Sequence, residues 1–346
     1  MVKSKNMIRV LLVDDSSLVR DMIREILESE PDIVVVGEAS NGEEAISMVA
    51  SLNPDIVTMD IEMPVMGGLE AIERIIAEHP VPILVVTALT GVRTAFTAVS
   101  KGALDVIEKP DISLENVLNL VKKIRLLANV DVAAHLLTMR RRSATVSVSN
   151  APIQKGFSKG GIVAIASSTG GPQAIHKILS QLPALFPVPI VITQHIAEGF
   201  TQGMVDWLNA VTPLKVRVAV NGDVLAPGNV YVNPAEHSMR ITEQGMIILS
   251  DRDAGHLYRP SCNIMLTSVA AAYRERAIGL IMSGMGDDGV VGMQAILKAG
   301  GATIAQDDKS SVVYGMNRIA VERGYIYKTV PLANIPAELM HRAGVE

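Results

Sequence analysis

A single cysteine, Cys262, occurs in 346 residues, so there is no disulfide framework to build and a reducing compartment is expected. Long apolar runs are missing as well. None approaches the roughly 18–20 residues of a membrane span. The run Ile8–Val13 is too short for the hydrophobic part of a secretion signal and ends in two aspartates. Direct membrane insertion is therefore not expected, and the chain is expected to be cytoplasmic. A basic excess is also absent. Asp and Glu number 36 against 31 Lys and Arg, a net charge of −5, which argues against a nucleic-acid-binding face. No Gly-x-Ser-x-Gly elbow occurs, which disfavours the α/β-hydrolases. What is present is globular in composition, 49% hydrophobic and 19% charged, at a length that suggests roughly two domains.

From Met7 to about Leu127, short apolar runs alternate with helical patterns. Ile8–Val13, Ile33–Val36, Ile56–Thr58, Ile83–Val86 and Leu104–Ile107 read as strands. Leu18, Val19, Met22, Ile23, Ile26 and Leu27 fall at the i, i+3, i+4 spacing of a helix packed on a sheet, and similar patterns occupy Glu43–Ser51, Leu69–Glu78 and Leu114–Leu127. Five βα units imply a doubly wound parallel sheet in the order 2-1-3-4-5, with its ligand crevice beside strands 1 and 3. Asp14 and Asp15 follow strand 1, Asp60 follows strand 3, Thr87 closes strand 4 and Lys109 follows strand 5. Three gathered carboxylates would repel one another, and a Mg²⁺ held by oxygen ligands would relieve that while a lysine adds charge for a phosphoryl group.

Asp14-Asp15, Met59-Asp60-Ile61-Glu62-Met63-Pro64 with Gly67-Gly68, Thr87-Ala88 and Lys109-Pro110 together resemble a response-regulator receiver domain. The resemblance implies that Asp60 accepts phosphate from a histidine kinase. It implies Mg²⁺ on Asp14, Asp15, Asp60 and the Glu62 backbone carbonyl, with Thr87 and Lys109 contacting the phosphoryl group. Val106 stands where receivers usually carry an aromatic residue. Arg140-Arg141-Arg142 and the small, polar Ser143–Asn150 then read as a tether.

A second alternating pattern begins at Gly160. Ile162–Ala166 reads as a strand buried on both faces; it runs into Ser167-Ser168-Thr169-Gly170-Gly171, and Pro172 opens an amphipathic helix. A hydroxyl is thereby presented at the carboxyl end of a sheet beside free helix N–H groups. Val188–Thr193 leads to Gln194-His195, and Ala277–Met282 leads to Ser283-Gly284-Met285-Gly286-Asp287-Asp288-Gly289. Both polar termini should share the edge that carries Ser168. In this arrangement Ser168 would attack a carbonyl, His195 would take its proton, and Asp288 would orient the imidazole. Lys215–Asp251, with turn signals at Asn221-Gly222, Pro227-Gly228 and Gln244-Gly245, reads as hairpins added to the sheet.

Ser168-Thr169-Gly170-Gly171, Thr193-Gln194-His195, Arg259-Pro260-Ser261, Gly284–Gly289 and Val312-Val313-Tyr314-Gly315-Met316 behind a receiver resemble the chemotaxis protein-glutamate methylesterase family over nearly the whole chain. The resemblance selects Ser168 over Ser167 and Asp288 over Asp287. It places the Met285 backbone N–H at an oxyanion, with Thr169 beside it. Cys262-Asn263 stand where the family usually has Val-Asp, Tyr258 where it has histidine, and Asn317 where it has proline.

The implied activity is phosphorylation-regulated hydrolysis of glutamate γ-methyl esters on methyl-accepting chemoreceptors, resetting their signalling in adaptation. The chemotaxis histidine kinase would be the phosphodonor, and the esterase would need no cofactor. Deamidation of receptor glutamine could use the same acyl-serine. The expected division is a receiver at 7–127, a linker at 128–158 and a catalytic domain at 159–346, α/β throughout. One rival reading is a receiver-linked docking module with an inert triad; another is an esterase of a different receptor system. A transcriptional regulator would need a basic helix-turn-helix, which the acidic, strand-rich second half does not offer.

Overall fold

The computed structural model describes residues 7–88, 92–110, 113–135, 160–251, 258 and 260–345. The chain divides into two compact units after residue 136. Most of the expected tether, including the arginine triplet, lies outside the described residues, as does Arg259. No described helix is long and apolar enough to cross a membrane.

The first unit runs β1 (Ile8–Val13), α1 (Ser17–Glu28), β2 (Ile33–Ala39), α2 (Gly42–Leu52), β3 (Ile56–Met59), α3 (Gly68–Glu78), β4 (Ile83–Thr87), α4 (Val92–Ser100), β5 (Asp105–Glu108) and α5 (Leu114–Leu127). Its five strands pair in parallel in the order β2-β1-β3-β4-β5, as the alternating pattern predicts. Strands β3 and β4 are buried throughout because helices cover both faces, which suits their β-branched composition. Helices α1, α2 and α5 begin on side-chain caps: Ser16 accepts from Val19 N–H, Asn41 from Glu44 N–H, and Ser113 from Asn116 N–H. Residues 132–135 add one helical turn, with Val132 and His135 buried, so the start of the expected linker stays with the first unit.

The second unit begins with β6 (Ile162–Ser167), α6 (Gly171–Leu179), β7 (Ile190–Gln194), α7 (Thr201–Val211), β8 (Lys215–Val218), β9 (Asn229–Val232), β10 (Ser238–Ile241) and β11 (Ile247–Ser250). It continues with α8 (Cys262–Tyr273), β12 (Ala277–Ile281), α9 (Val290–Lys298), β13 (Ala302–Gln306), α10 (Met316–Glu322), β14 (Lys328–Val330) and α11 (Ile335–Arg342). Seven strands form one parallel sheet in the order β14-β13-β12-β6-β7-β9-β8. The expectation of hairpins over Lys215–Asp251 holds only for β10 and β11, which pair antiparallel. Strands β8 and β9 instead run parallel and extend the main sheet, with Lys215 opposite Asn229. A turn signal marks where the chain bends. It does not fix whether the next strand pairs with the previous one or crosses over, and here the ten residues from Ala219 to Gly228 carry the crossover.

The order places β6 centrally, with β7 on one side and β12 on the other. Their carboxyl ends converge on one edge, and side chains just past those ends meet there.

Candidate active site

Ser168 sits one residue past β6, in a tight turn whose Gly171 N–H donates to the Ser168 carbonyl at 2.7 Å. Gly170 takes φ +77°, and a Cβ there would lie 2.6 Å from Val312 Cβ, so glycine is required by both conformation and space. The strand end is clamped on both sides. Ser168 N–H donates to Ser283 O at 2.9 Å, and His195 N–H donates to Ser167 O at 3.0 Å. Because Ser167 pairs with Gln194 in parallel register, Ser168 and His195 are the next neighbours across two strands about 4.8 Å apart.

Asp288 is 1% exposed and lies against the first turn of α8. Its Oδ2 accepts from Cys262 N–H at 2.6 Å and lies 2.8 Å from His195 Nε2; its Oδ1 accepts from Asn263 N–H at 2.9 Å and Ser261 Oγ at 3.2 Å. Burial pushes the Asp288 carboxyl upward, but His195 and the two helix N–H groups outweigh it and hold the group below the usual carboxylate range. An ionised Asp288 only accepts, so Nε2 carries the shared proton and Nδ1 is left as the basic nitrogen of the neutral ring. Among the described residues, Ser168 Oγ makes no hydrogen bond to His195. Serine–histidine bonds of this kind often form only with substrate bound.

Met285 lies two residues past Ser283 and is 38% exposed. Its N–H has no partner among the described residues, the condition an oxyanion donor needs. The approach of this loop to the serine depends on Gly284, where a Cβ would fall 2.6 Å from Ser168 Cβ and 2.4 Å from Met316 Sδ. Thr169 is buried beside the nucleophile, and its carbonyl accepts from Ser283 Oγ at 2.7 Å.

Several residues here carry positioning contacts that the motifs alone do not assign. Gln194 Nε2 donates to the carbonyls of Ser168 at 2.8 Å and His195 at 2.9 Å, while its Oε1 accepts from Ser167 Oγ at 2.6 Å. Ser167 is thereby fully buried and engaged, which supports Ser168 as the available hydroxyl. Asn263, at a departure from the family pattern, accepts from Gly289 and Gly292 N–H at 2.9 Å each and caps α9. Tyr258 lies parallel to His195 with centroids 5.5 Å apart and donates its hydroxyl proton to Asp287 at 3.1 Å. This leaves Asp287 on the outer side of the loop and Asp288 on the histidine.

In the first unit, Asp14, Asp60 and Thr87 are buried at the strand ends and Asp15 is exposed. Lys109 Nζ lies 2.7 Å from Asp14 Oδ2 and 2.8 Å from Asp60 Oδ2. Burial lowers the Lys109 affinity for its proton, yet the two carboxylates outweigh burial and hold it above the ordinary lysine value. Asp14 is shifted upward, first by burial and further by the Asp60 charge, against the Lys109 contact. The oxygens of Asp14, Asp15 and Asp60 come within 4.8 Å of one another, and this set of hard oxygen donors fits Mg²⁺. The five side chains expected at this crevice are thus on neighbouring strand ends.

Residues 163–339 match the family described as CheB methylesterase, and residues 10–122 match that described as response regulator receiver domain. A protein of Paramagnetospirillum magneticum named protein-glutamate methylesterase/protein-glutamine glutaminase 3 is 47% identical, covering 99% of this chain and 98% of its own. One of Anaeromyxobacter dehalogenans, named protein-glutamate methylesterase/protein-glutamine glutaminase 2, is 41% identical over 96% of each chain. The crystal structure of the Thermotoga maritima CheB methylesterase catalytic domain superimposes with a TM-score of 0.51 at 35% identity, covering 53% of this chain and 99% of that one.

Proposed function

Because this chain belongs to the CheB methylesterase family and carries a response-regulator receiver ahead of that domain, we propose that it removes methyl groups from glutamate γ-methyl esters of chemoreceptors, using Ser168, His195 and Asp288. The observation that carries the reading is the contact at 2.8 Å between buried Asp288 and partly exposed His195, with Ser168 next in register across the sheet.

The chemistry follows from the contacts. His195 Nδ1 takes the Ser168 hydroxyl proton as Oγ attacks the ester carbonyl. Negative charge on the carbonyl oxygen is met by the Met285 N–H and the positive end of α6. His195 then returns the proton to the departing methoxide, so methanol leaves and an acyl-serine remains. Water, deprotonated by the same nitrogen, cleaves the acyl-serine and restores Ser168 with a free glutamate. Asp288, held ionised by two helix N–H groups, stabilises the imidazolium formed in both halves. A glutamine side chain would react alike with ammonia leaving, in keeping with the double name of the relatives.

The first unit is the regulatory half of the proposal. Asp60 is the phosphate acceptor and a chemotaxis histidine kinase the donor, with Thr87 and Lys109 at the phosphoryl oxygens. Asp14, Asp15, Asp60 and the Glu62 carbonyl would hold Mg²⁺, which supplies charge neutralisation for the incoming phosphoryl group. Residues 137–158 act as the tether, and the protein works in the cytoplasm.

The test is methanol release from methylated receptor by the full-length protein, with and without acetyl phosphate and Mg²⁺. Release that depends on Ser168 and rises with phosphodonor is expected, and the rise should vanish in Asp60→Asn. A folded protein that releases no methanol under either condition would favour the docking-module reading.

A further inference from the structure

The chain's one cysteine lies inside the site just described. Cys262 is fully buried, with Sγ 3.6 Å from the Thr193 carbonyl oxygen and 3.6 Å from His195 Nε2. Asp288 Oδ2 is 2.8 Å from the same nitrogen. The three donor atoms lie within 4.8 Å of one another. For Zn–S of about 2.3 Å and Zn–N of about 2.0 Å, a tetrahedral ion places sulfur and nitrogen about 3.5 Å apart, which matches the separation seen. The nitrogen–oxygen edge needs to open by about 0.5 Å on the same geometry.

We propose that His195 Nε2, Cys262 Sγ and Asp288 Oδ2 form a reversible site for a thiophilic divalent cation, Zn²⁺, and that its binding shuts off the hydrolytic centre. A water would take the fourth position.

Charge and protons balance. One thiolate, one carboxylate and Zn²⁺ sum to zero, which suits a buried site. Binding releases one proton, from the Cys262 thiol. The imidazole stays neutral, but its proton passes from Nε2, now a ligand, to Nδ1. The nitrogen that would accept the Ser168 proton is then occupied, and Asp288 no longer orients the ring. In the metal-free protein, burial and the adjacent Asp288 charge push the thiol well above its ordinary range. The sulfur ligand selects Zn²⁺ over Mg²⁺, whereas the all-oxygen set of Asp14, Asp15 and Asp60 has the opposite preference.

The metal site rests on geometry alone; only the shutting-off clause rests on the esterase reading, and the two are tested separately. Untagged full-length protein is titrated with Co²⁺ as a spectroscopic stand-in. A thiolate-to-cobalt charge-transfer band can arise only from Cys262, and the account predicts one such ion, displaced by Zn²⁺, with no band in Cys262→Val. Asp288→Asn should weaken the apparent affinity about tenfold or more. Zn²⁺ should suppress methanol release, a chelator should restore it, and Cys262→Val should need at least about tenfold more Zn²⁺ to lose the same fraction of its own activity. Cys262→Ser serves if the valine variant does not fold. Absence of the band in the parent protein overturns the site. An unchanged Zn²⁺ midpoint in folded Cys262→Val overturns the shutting-off role, placing the inhibitory ion elsewhere. A band without esterase activity in any sample would instead fault the functional reading and leave the metal site standing.

Discussion

Replacing Asp288 by asparagine keeps the shape of the side chain and removes its charge and one of its two acceptors. The carboxylate takes four hydrogen bonds, His195 and Cys262 on Oδ2 and Asn263 and Ser261 on Oδ1. If the new NH₂ group faces His195, Nε2 must turn acceptor, the ring proton moves to Nδ1 and the base is lost; the wrong tautomer costs about 10⁴-fold in kcat in a serine protease. The other orientation keeps the tautomer but leaves the imidazolium without its counter-charge. Either way one backbone N–H at the start of α8, from Cys262 or Asn263, is left facing a donor, at about 1–3 kcal/mol. The helix terminus also loses its anion, about a further 1 kcal/mol.

Asp288→Asn should therefore fold, lose about 2–4 kcal/mol in urea unfolding, and lose activity by up to about 10⁴-fold. Its acid response should change in sign-specific fashion. A carboxyl held low in the folded state contributes stability that is complete above its unfolded value of about 3.9 and fades as pH falls through the lower folded value. The variant lacks that contribution, so its stability should fall less steeply below about pH 4. Nitrogen-15 NMR of the His195 ring would show which tautomer it holds. Activity within a few-fold of the parent, with an unchanged acid slope, would refute the role given to Asp288.

Gly284→Ala should cut the esterase rate by about 10²-fold through displacement of Ser168, since its new Cβ would meet Ser168 Cβ at 2.6 Å; an unchanged rate would mean the loop can yield. Lys109→Met removes the cation between Asp14 and Asp60 and should cost the metal-free first unit about 3–5 kcal/mol, with added Mg²⁺ recovering part of it. Equal urea midpoints for parent and variant without Mg²⁺ would sink that account. Val65 takes φ +65° with an 80% exposed side chain, a conformation that a β-branched residue adopts only under strain. Val65→Asn should raise stability by about 1 kcal/mol, and a lower melting temperature would show that the strain is not there.

The parallel sheets and the strand ends carrying polar residues were legible because buried parallel strands write continuous apolar runs, and Asp60, Lys109 and His195 stand at their ends. The pairing of β8 with β9 was not legible, since the Asn221-Gly222 and Pro227-Gly228 turns are compatible with a hairpin or a crossover. Nor was the support around the triad. Gln194 reaches the Ser168 carbonyl, Asn263 caps α9, and Cys262 and Asp288 touch His195 only because segments 26 to 93 residues apart in sequence meet, and no local pattern encodes that distance.

The central claim is that Ser168 is the nucleophile of a glutamyl methylesterase. It is tested most directly by timing methanol release from methylated receptor with the parent, Ser168→Ala and Ser167→Ala proteins, each shown folded by circular dichroism. The account predicts release by the parent, none above background from Ser168→Ala, and a reduced but measurable rate from Ser167→Ala, whose hydroxyl serves Gln194. Sustained release from folded Ser168→Ala would contradict it.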